Sequence, residues 1–216
     1  MPLFDSTFSA FARGSLMSTA QGYVAIEDLL PGDNLHISSG EAAKILWIGS
    51  STFVPAAPDR RMPLDQIMAN TFGVSRPSSF LTIGPSARLL QTPHHLRGNQ
   101  GGTQMFTHAS EFFDGVNVIE ISPPVQMFHI CLTRHAAITV GGMEMETYHP
   151  GSIATKDVSY EMRDLFLSMF PHISNTSNFG PLAHQNGKRS SRIKRLLEGV
   201  LLELRTARLA HPFHHE

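Results

Sequence analysis

The sequence predicts a mainly β domain followed by an α-helical extension, and two observations carry that prediction. Up to residue 150, short apolar runs alternate with turn signals, the pattern of brief strands in an all-β fold. After His149-Pro150-Gly151 the apolar period lengthens to three and four residues, which marks amphipathic helices. At 216 residues the chain has room for one sizeable domain and an extension. We divide it into a short leader (1–8), a β domain (9–151) and a helical extension (152–216).

The elements follow in order. Ala20-Gln21-Gly22 turns into a strand at Tyr23-Val24-Ala25-Ile26. Leu30-Pro31-Gly32-Asp33 is a strong turn, because proline presets one backbone angle and glycine accepts positive φ. A strand from Asn34 to Ser38 and one from Ala43 to Ile48 flank the hairpin-like Ser39-Gly40-Glu41. Trp47 in the second of these reads as core. Pro63 to Asn70 has the spacing of a short helix. Phe80–Ile83 and Arg88–Gln91 read as strands around Gly84-Pro85, and residues 97–104 as a loop. Val116–Ile121, Val125–Leu132 and Ala136–Val140 complete the strands.

In the extension, Leu165, Phe166 and Met169 share a helical face, and Pro171 ends that helix. Beyond a polar stretch at Ser174–Asn178, a stripe of Ile193, Leu196, Leu197, Val200, Leu201 and Leu204 predicts the strongest helix. Lys188, Arg189, Arg192, Lys194 and Arg195 gather at its start, where cations oppose the helix dipole. The default role of these cations is a solvated face or an intrachain partner. The alternative is a protein partner on the basic helix 188–205.

Composition narrows the function. Hydrophobic residues make up 41% and charged residues 16%, the balance of a folded protein. A net charge of -1 supplies no global field toward nucleic acid, so none is expected as a partner. The one cysteine, Cys131, excludes an intrachain disulfide framework and a Cys-rich zinc site. Its apolar run Phe128–Leu132 predicts a buried, inert thiol. No run approaches the roughly 20 apolar residues of a membrane-spanning helix. The first residues lack a basic region ahead of an apolar stretch, so the expected location is cytoplasmic, or exported without a classical signal peptide. No cofactor is implied.

Thr92-Pro93-His94-His95 is the first motif with chemical content. A Thr and a His three positions apart, just after a strand, can address one backbone carbonyl. The hydroxyl and imidazole would polarise it or protonate its amide nitrogen. The bland alternative is a hydrogen-bonded pair with no chemistry.

The neighbouring blocks add a resemblance. Ala10-Phe11-Ala12-Arg13-Gly14-Ser15, then Val24-Ala25-Ile26-Glu27-Asp28-Leu29-Leu30-Pro31-Gly32-Asp33, resembles the opening of bacterial Hint-domain proteins, the hedgehog and intein type of autoprocessing domain. Ile45-Leu46-Trp47-Ile48-Gly49 resembles the strand that follows there. Leu90-Gln91-Thr92-Pro93-His94-His95 resembles the Ser/Thr-Pro-x-His block. Val125–Ile130, Arg134-His135 and Glu146-Thr147-Tyr148-His149-Pro150-Gly151 resemble the closing blocks. The tail matches in kind, with Leu167-Ser168-Met169-Phe170-Pro171, then Phe179-Gly180-Pro181, then the basic leucine helix. Together these blocks cover about residues 9–205 in order, and jointly they are specific. The resemblance implies a compact, horseshoe-like Hint β fold.

It also implies a chemistry. In an active Hint domain the first Cys attacks the carbonyl before it and turns the amide into a thioester, which a later nucleophile resolves. Carried over by position, Ala10 stands at the nucleophile, Thr92 is the polarising hydroxyl, His95 the proton donor and His135 the closing-block histidine. His129 falls where inteins often carry an aspartate. Alanine has no nucleophile, so the acyl shift cannot begin at position 10. Ser9 and Ser15 are near, but a one-residue slip removes most of the proximity advantage.

Three readings stay open. The first is a Hint protein disabled at Ala10 that serves as a binding or structural module. The second is an autoprocessing enzyme whose nucleophile was replaced at position 10 or shifted to Ser9, acting on its own N-terminal peptide. With a leader of only residues 1–8, such an enzyme would release only a short peptide. The third is a metal binder built from His94, His95, His129 and His135, although their spacing matches no zinc motif. His129 and His135 also read as satisfied core histidines in strands.

Overall fold

The computed structural model describes residues 9–54, 63–92, 103–150 and 160–186. Fourteen strands occupy them: β1 (Phe11–Ala12), β2 (Leu16–Thr19), β3 (Gly22–Ala25), β4 (Asn34–His36), β5 (Ala42–Phe53), β6 (Leu64–Ile67), β7 (Leu81–Ile83), β8 (Arg88–Gln91), β9 (Met105–His108), β10 (Val118–Ile121), β11 (Val125–Leu132), β12 (Ala137–Val140), β13 (Met143–Glu146) and β14 (Gln185–Asn186). One α-helix, α1 (Tyr160–Ser168), lies in the extension. The predicted mainly β fold with a helical extension is what forms.

The strands join in the order β10-β6-β7-β1-β11-β5-β4-β2-β12-β13-β8-β9-β14, with β3 on β2. The long β5 connects the two halves of this sheet. Its first residues pair with β4, and from Ile45 onward it pairs with β11. Between Cys131 and Leu132 the register shifts, so that Leu46 is the extra residue. Such a bulge bends and twists its strand, here where the sheet passes from one half to the other.

Turn chemistry places the early strands. The Asp33 carboxylate accepts from the Leu30 amide at 2.8 Å, and Gly32 takes φ 107°. Before β10, Oδ1 of Asp114 accepts from the amides of Val116, Asn117 and Val118. Those bonds hold the Asp114 carboxyl well below the usual carboxylate range.

The principal core lies on one face of the sheet, with Phe11, Met17, Ile26, Leu35, Ile45, Ile83 and Ile130 among its members. A second cluster joins the extension to the β domain. Phe166, Phe170, Ile173 and Phe179 pack with Cys131 and Tyr148, against Trp47. A third consists of Ala10, Ala12, Leu64 and Met127.

One sequence expectation needs correction, and some strands were not foreseen. Residues 64–67 form a strand instead of part of a helix, because β6 has partners on both sides, β10 and β7. Met105–His108 and Met143–Glu146 are also strands, although their local pattern did not announce them. The loop expected at 97–104 falls almost wholly outside the described residues. So do the stripe 193–204 and the basic cluster 188–195. No described helix is long and apolar enough to cross a membrane.

Candidate functional site

Position 10 is set by pairing. β1 joins β11 with Phe11 opposite Phe128 and Ala12 opposite Met127. One residue further, the same register puts Ala10 opposite His129. Directly paired residues of antiparallel strands point to the same side, so Ala10 and His129 share a face. Phe11 and Phe128 point the other way, into the principal core. The face of Ala10 carries Met127, His129 and Cys131 in alternation along β11. His129 therefore sits where the cluster around Ala10 meets the one formed by the extension. Ala10 is fully buried, and its carbonyl accepts from the Gly84 amide at 2.8 Å.

The chain on either side is fixed. Ser15 donates its hydroxyl to the Ala12 carbonyl at 2.7 Å, and the Gly14 amide donates to Glu27 at 2.8 Å. That amide, assisted by Arg13, holds the Glu27 carboxyl below its ordinary value. The Phe-Ala-Arg-Gly-Ser block thus forms a tied turn directly after residue 10.

His129 is buried. Burial lowers its proton affinity, to a pKa of about 4, against the opposing influence of the Ser9 backbone, which favours the charged ring. A backbone group favours protonated imidazole through its carbonyl oxygen, so the Ser9 carbonyl is the group beside the ring. That carbonyl belongs to the peptide bond preceding residue 10. The neutral ring also meets the edge of Tyr148, centroids 5.4 Å apart. Tyr148 in turn stacks on Phe170 of the extension at 5.6 Å.

The other residues singled out from sequence lie as follows. Thr92 stands just past β8 and is half-buried; His94 and His95 are outside the described residues. His135 belongs to a buried polar chain. Its Nε2 faces Glu146 Oε1 at 3.2 Å, and its Nδ1 accepts from the Ala183 amide at 3.0 Å. Glu146 Oε2 accepts from Arg88 at 2.6 Å, and Arg88 also donates to His108 at 3.2 Å. Burial pushes the Glu146 carboxyl up, but hydrogen bonding to His135 and the Arg88 charge hold it below its ordinary value. It is an ionised carboxylate between two cation-capable groups. Cys131 is buried and its thiol is pushed up to about 12, so it is no nucleophile at neutral pH. Among the described residues no group of three or more His, Cys, Asp and Glu side chains could hold a metal ion.

Sequence reasoning missed the roles of Tyr148, Arg88 and Glu146. Glu146 carried no usable signal: in Met143-Glu144-Met145-Glu146 the two glutamates differ only in what faces them, and that is a tertiary property.

The Hint domain family profile matches residues 9–152. Among solved structures, the intein-like domain from Clostridium thermocellum is similar at 17% identity, covering 65% of this chain and 99% of its own, with a TM-score of 0.43. The MchDnaB-1 intein is similar at 10% identity, with 63% and 98% covered and a TM-score of 0.42. The DnaB intein of Synechocystis sp. PCC 6803 is similar at 14% identity, with 64% and 98% covered and a TM-score of 0.40. No curated protein matches the chain. On the family match, which spans most of its length, the chain belongs to the Hint domain family.

Proposed function

We propose that this chain is a Hint domain whose peptide-bond rearrangement is disabled at residue 10 and which acts, as it stands, as a folded binding or structural module. One observation supports this above the others. The carbonyl preceding residue 10 has a buried, neutral imidazole beside it, while the side chain that would attack that carbonyl is a methyl group.

With a thiol at position 10, the step balances simply. The thiolate adds to the Ser9 carbonyl carbon, the Ser9–residue 10 C–N bond breaks, and the amide nitrogen takes up a proton. The product is a thioester, which an added thiol resolves. His129 is the group we assign to the developing oxyanion, as a neutral N–H donor in a water-poor site. Thr92 and His95 keep the roles that the family resemblance implies, polarising the amide and protonating its nitrogen. The substrate in that case is the protein's own N-terminal peptide.

The test is intact mass after incubation with and without a thiol, on this chain and on Ala10→Cys, each carrying an upstream tag. The tag leaves Ala10→Cys in thiol and stays on the parent. Cleavage of the parent itself would overturn the reading. If neither is cleaved, the site has lost more than its nucleophile, and the binding role stands alone.

A further inference from the structure

The extension is fastened to the β domain at both ends of its described length. At one end, Phe166 and Phe170 pack on Trp47 and Tyr148. At the other, residues 178–184 form one wall of a cleft of about 500 Å³, whose opposite walls are the hairpin at Ile37–Glu41 and the turn at Thr133–Ala137. Phe179 is seated in the aromatic cluster, against Phe166, Phe170, Tyr148 and His149. Beyond it, His149 Nε2 bonds to the Gly180 carbonyl at 3.0 Å, His184 meets Phe106 edge to face, and β14 makes a two-residue parallel pair with β9. A further contact is the Ala183 amide on His135 Nδ1.

That last bond requires one protonation state. The amide donates, so Nδ1 must offer its lone pair, and the ring proton must sit on Nε2, facing Glu146. A second proton would go on Nδ1 and set two N–H groups against each other.

We propose that His135 is a tautomer-dependent latch, and that proton uptake on its Nδ1 releases residues 181–186 from the β domain and opens the cleft. The surroundings bear on this from several elements. Glu146 on β13 faces the ring at 3.2 Å, and Arg88 on β8 pairs with the same carboxylate. His149, which contacts the ring at 4.9 Å, is itself kept toward its neutral form by burial. His108 on β9 bonds to Arg88, and His184 stands across Phe106 from His135. The Arg134–Glu41 ion pair closes the cleft rim and is self-compensating. Release is local, since Phe179 stays packed with Phe166 and Phe170 in the cluster beside Trp47. The inference does not depend on what occupies position 10.

The experiment is amide exchange at Ala183–Asn186 from about pH 8 to about pH 5, across the range in which histidines change charge. It is run on the intact protein and on His135→Gln and His135→Ala. Emission of Trp47, the single tryptophan, reports the aromatic cluster around Phe170, and the ring NMR signals report the charge of His135. Glutamine keeps one acceptor and one donor but does not titrate. On acidification the parent loses at least about tenfold in protection at these amides, the size of a local opening, with Trp47 emission unchanged. His135→Gln keeps its protection throughout. His135→Ala lacks it at both ends of the range. Should that variant not fold, the comparison of the parent with His135→Gln decides alone. Unchanged protection in the parent after His135 has charged would overturn the latch. So would a ring that stays neutral over the whole range, or a glutamine variant that opens as the parent does.

Discussion

A Cβ on Gly49 would collide with Cη2 of Trp47, so the indole occupies the space that a side chain at position 49 would need. Gly49 pairs with His129 across β5 and β11. The missing side chain therefore lets Trp47 fold over the strand beside the site and meet Phe170 at 4.4 Å. Gly49→Ala has to displace the indole. We expect a loss of about 1–3 kcal/mol, the usual cost of overfilling a packed site, with a red shift in Trp47 emission. Thermal unfolding and fluorescence check both.

Phe170 is fully buried and is the ring on which Trp47, Tyr148, Phe166 and Phe179 converge. Phe170→Ala should cost roughly 3–5 kcal/mol, as large-to-small core changes do. Denaturant midpoints measure it. An effect below about 1 kcal/mol would mean that the extension is not part of the cooperative core.

Two buried groups give the stability opposite dependences on pH. Asp65 on β6 is pushed up to about 7 by burial and by the nearby Glu120 charge. Its folded-state value exceeds the unfolded one, so the native state binds the extra proton. This contribution is fully present below about pH 4 and is lost as pH rises through about 7. At about 1.4 kcal/mol per pKa unit the loss is at most roughly 4 kcal/mol. Asp65→Asn should remove that slope, as measured by denaturant unfolding at a series of pH values.

His129 works the other way. Its folded value of about 4 lies below the ordinary 6.5, so the unfolded chain binds the proton more readily. The stability it contributes is present above about pH 6.5 and is lost as pH falls toward 4, by at most roughly 3 kcal/mol. Ring NMR signals that stay neutral at pH 5 would bear out the assignment. A normal titration near 6.5 would remove the neutral-donor role proposed for this residue.

Cys131 should resist alkylation in the native protein at mildly alkaline pH, because its thiol is buried and pushed up to about 12. Unfolding should restore ordinary reactivity. Mass spectrometry of thiol labelling with and without denaturant separates the two states.

The sequence made strands and turns legible where local chemistry and tertiary role agree. Leu30-Pro31-Gly32-Asp33 turns as its residues dictate, and Val125–Leu132 is a strand to the residue. Residues 63–70 misled because Pro63 suits a helix start and Leu64, Ile67 and Met68 share a helical spacing. The neighbouring strands overrode that preference. β13 was hidden by its glutamates: nothing local distinguishes the exposed role expected of a carboxylate from the buried one that Glu146 takes beside Arg88 and His135. At the site, the family blocks pointed to residue 10 and to His129. The contact of Tyr148 with His129 joins a residue beyond β13 to the middle of β11, and no local pattern encodes such a contact.

The position of His129 between the Ser9 carbonyl and the ring of Tyr148 has an architectural consequence. Ser9, at the start of the described chain, and Tyr148, just past the last strand of the β domain, lie beside one imidazole. These two residues are therefore spatial neighbours, however distant in sequence. A passenger fused ahead of Ser9 would emerge beside the aromatic seat of the extension. The size of such a passenger would be felt there first.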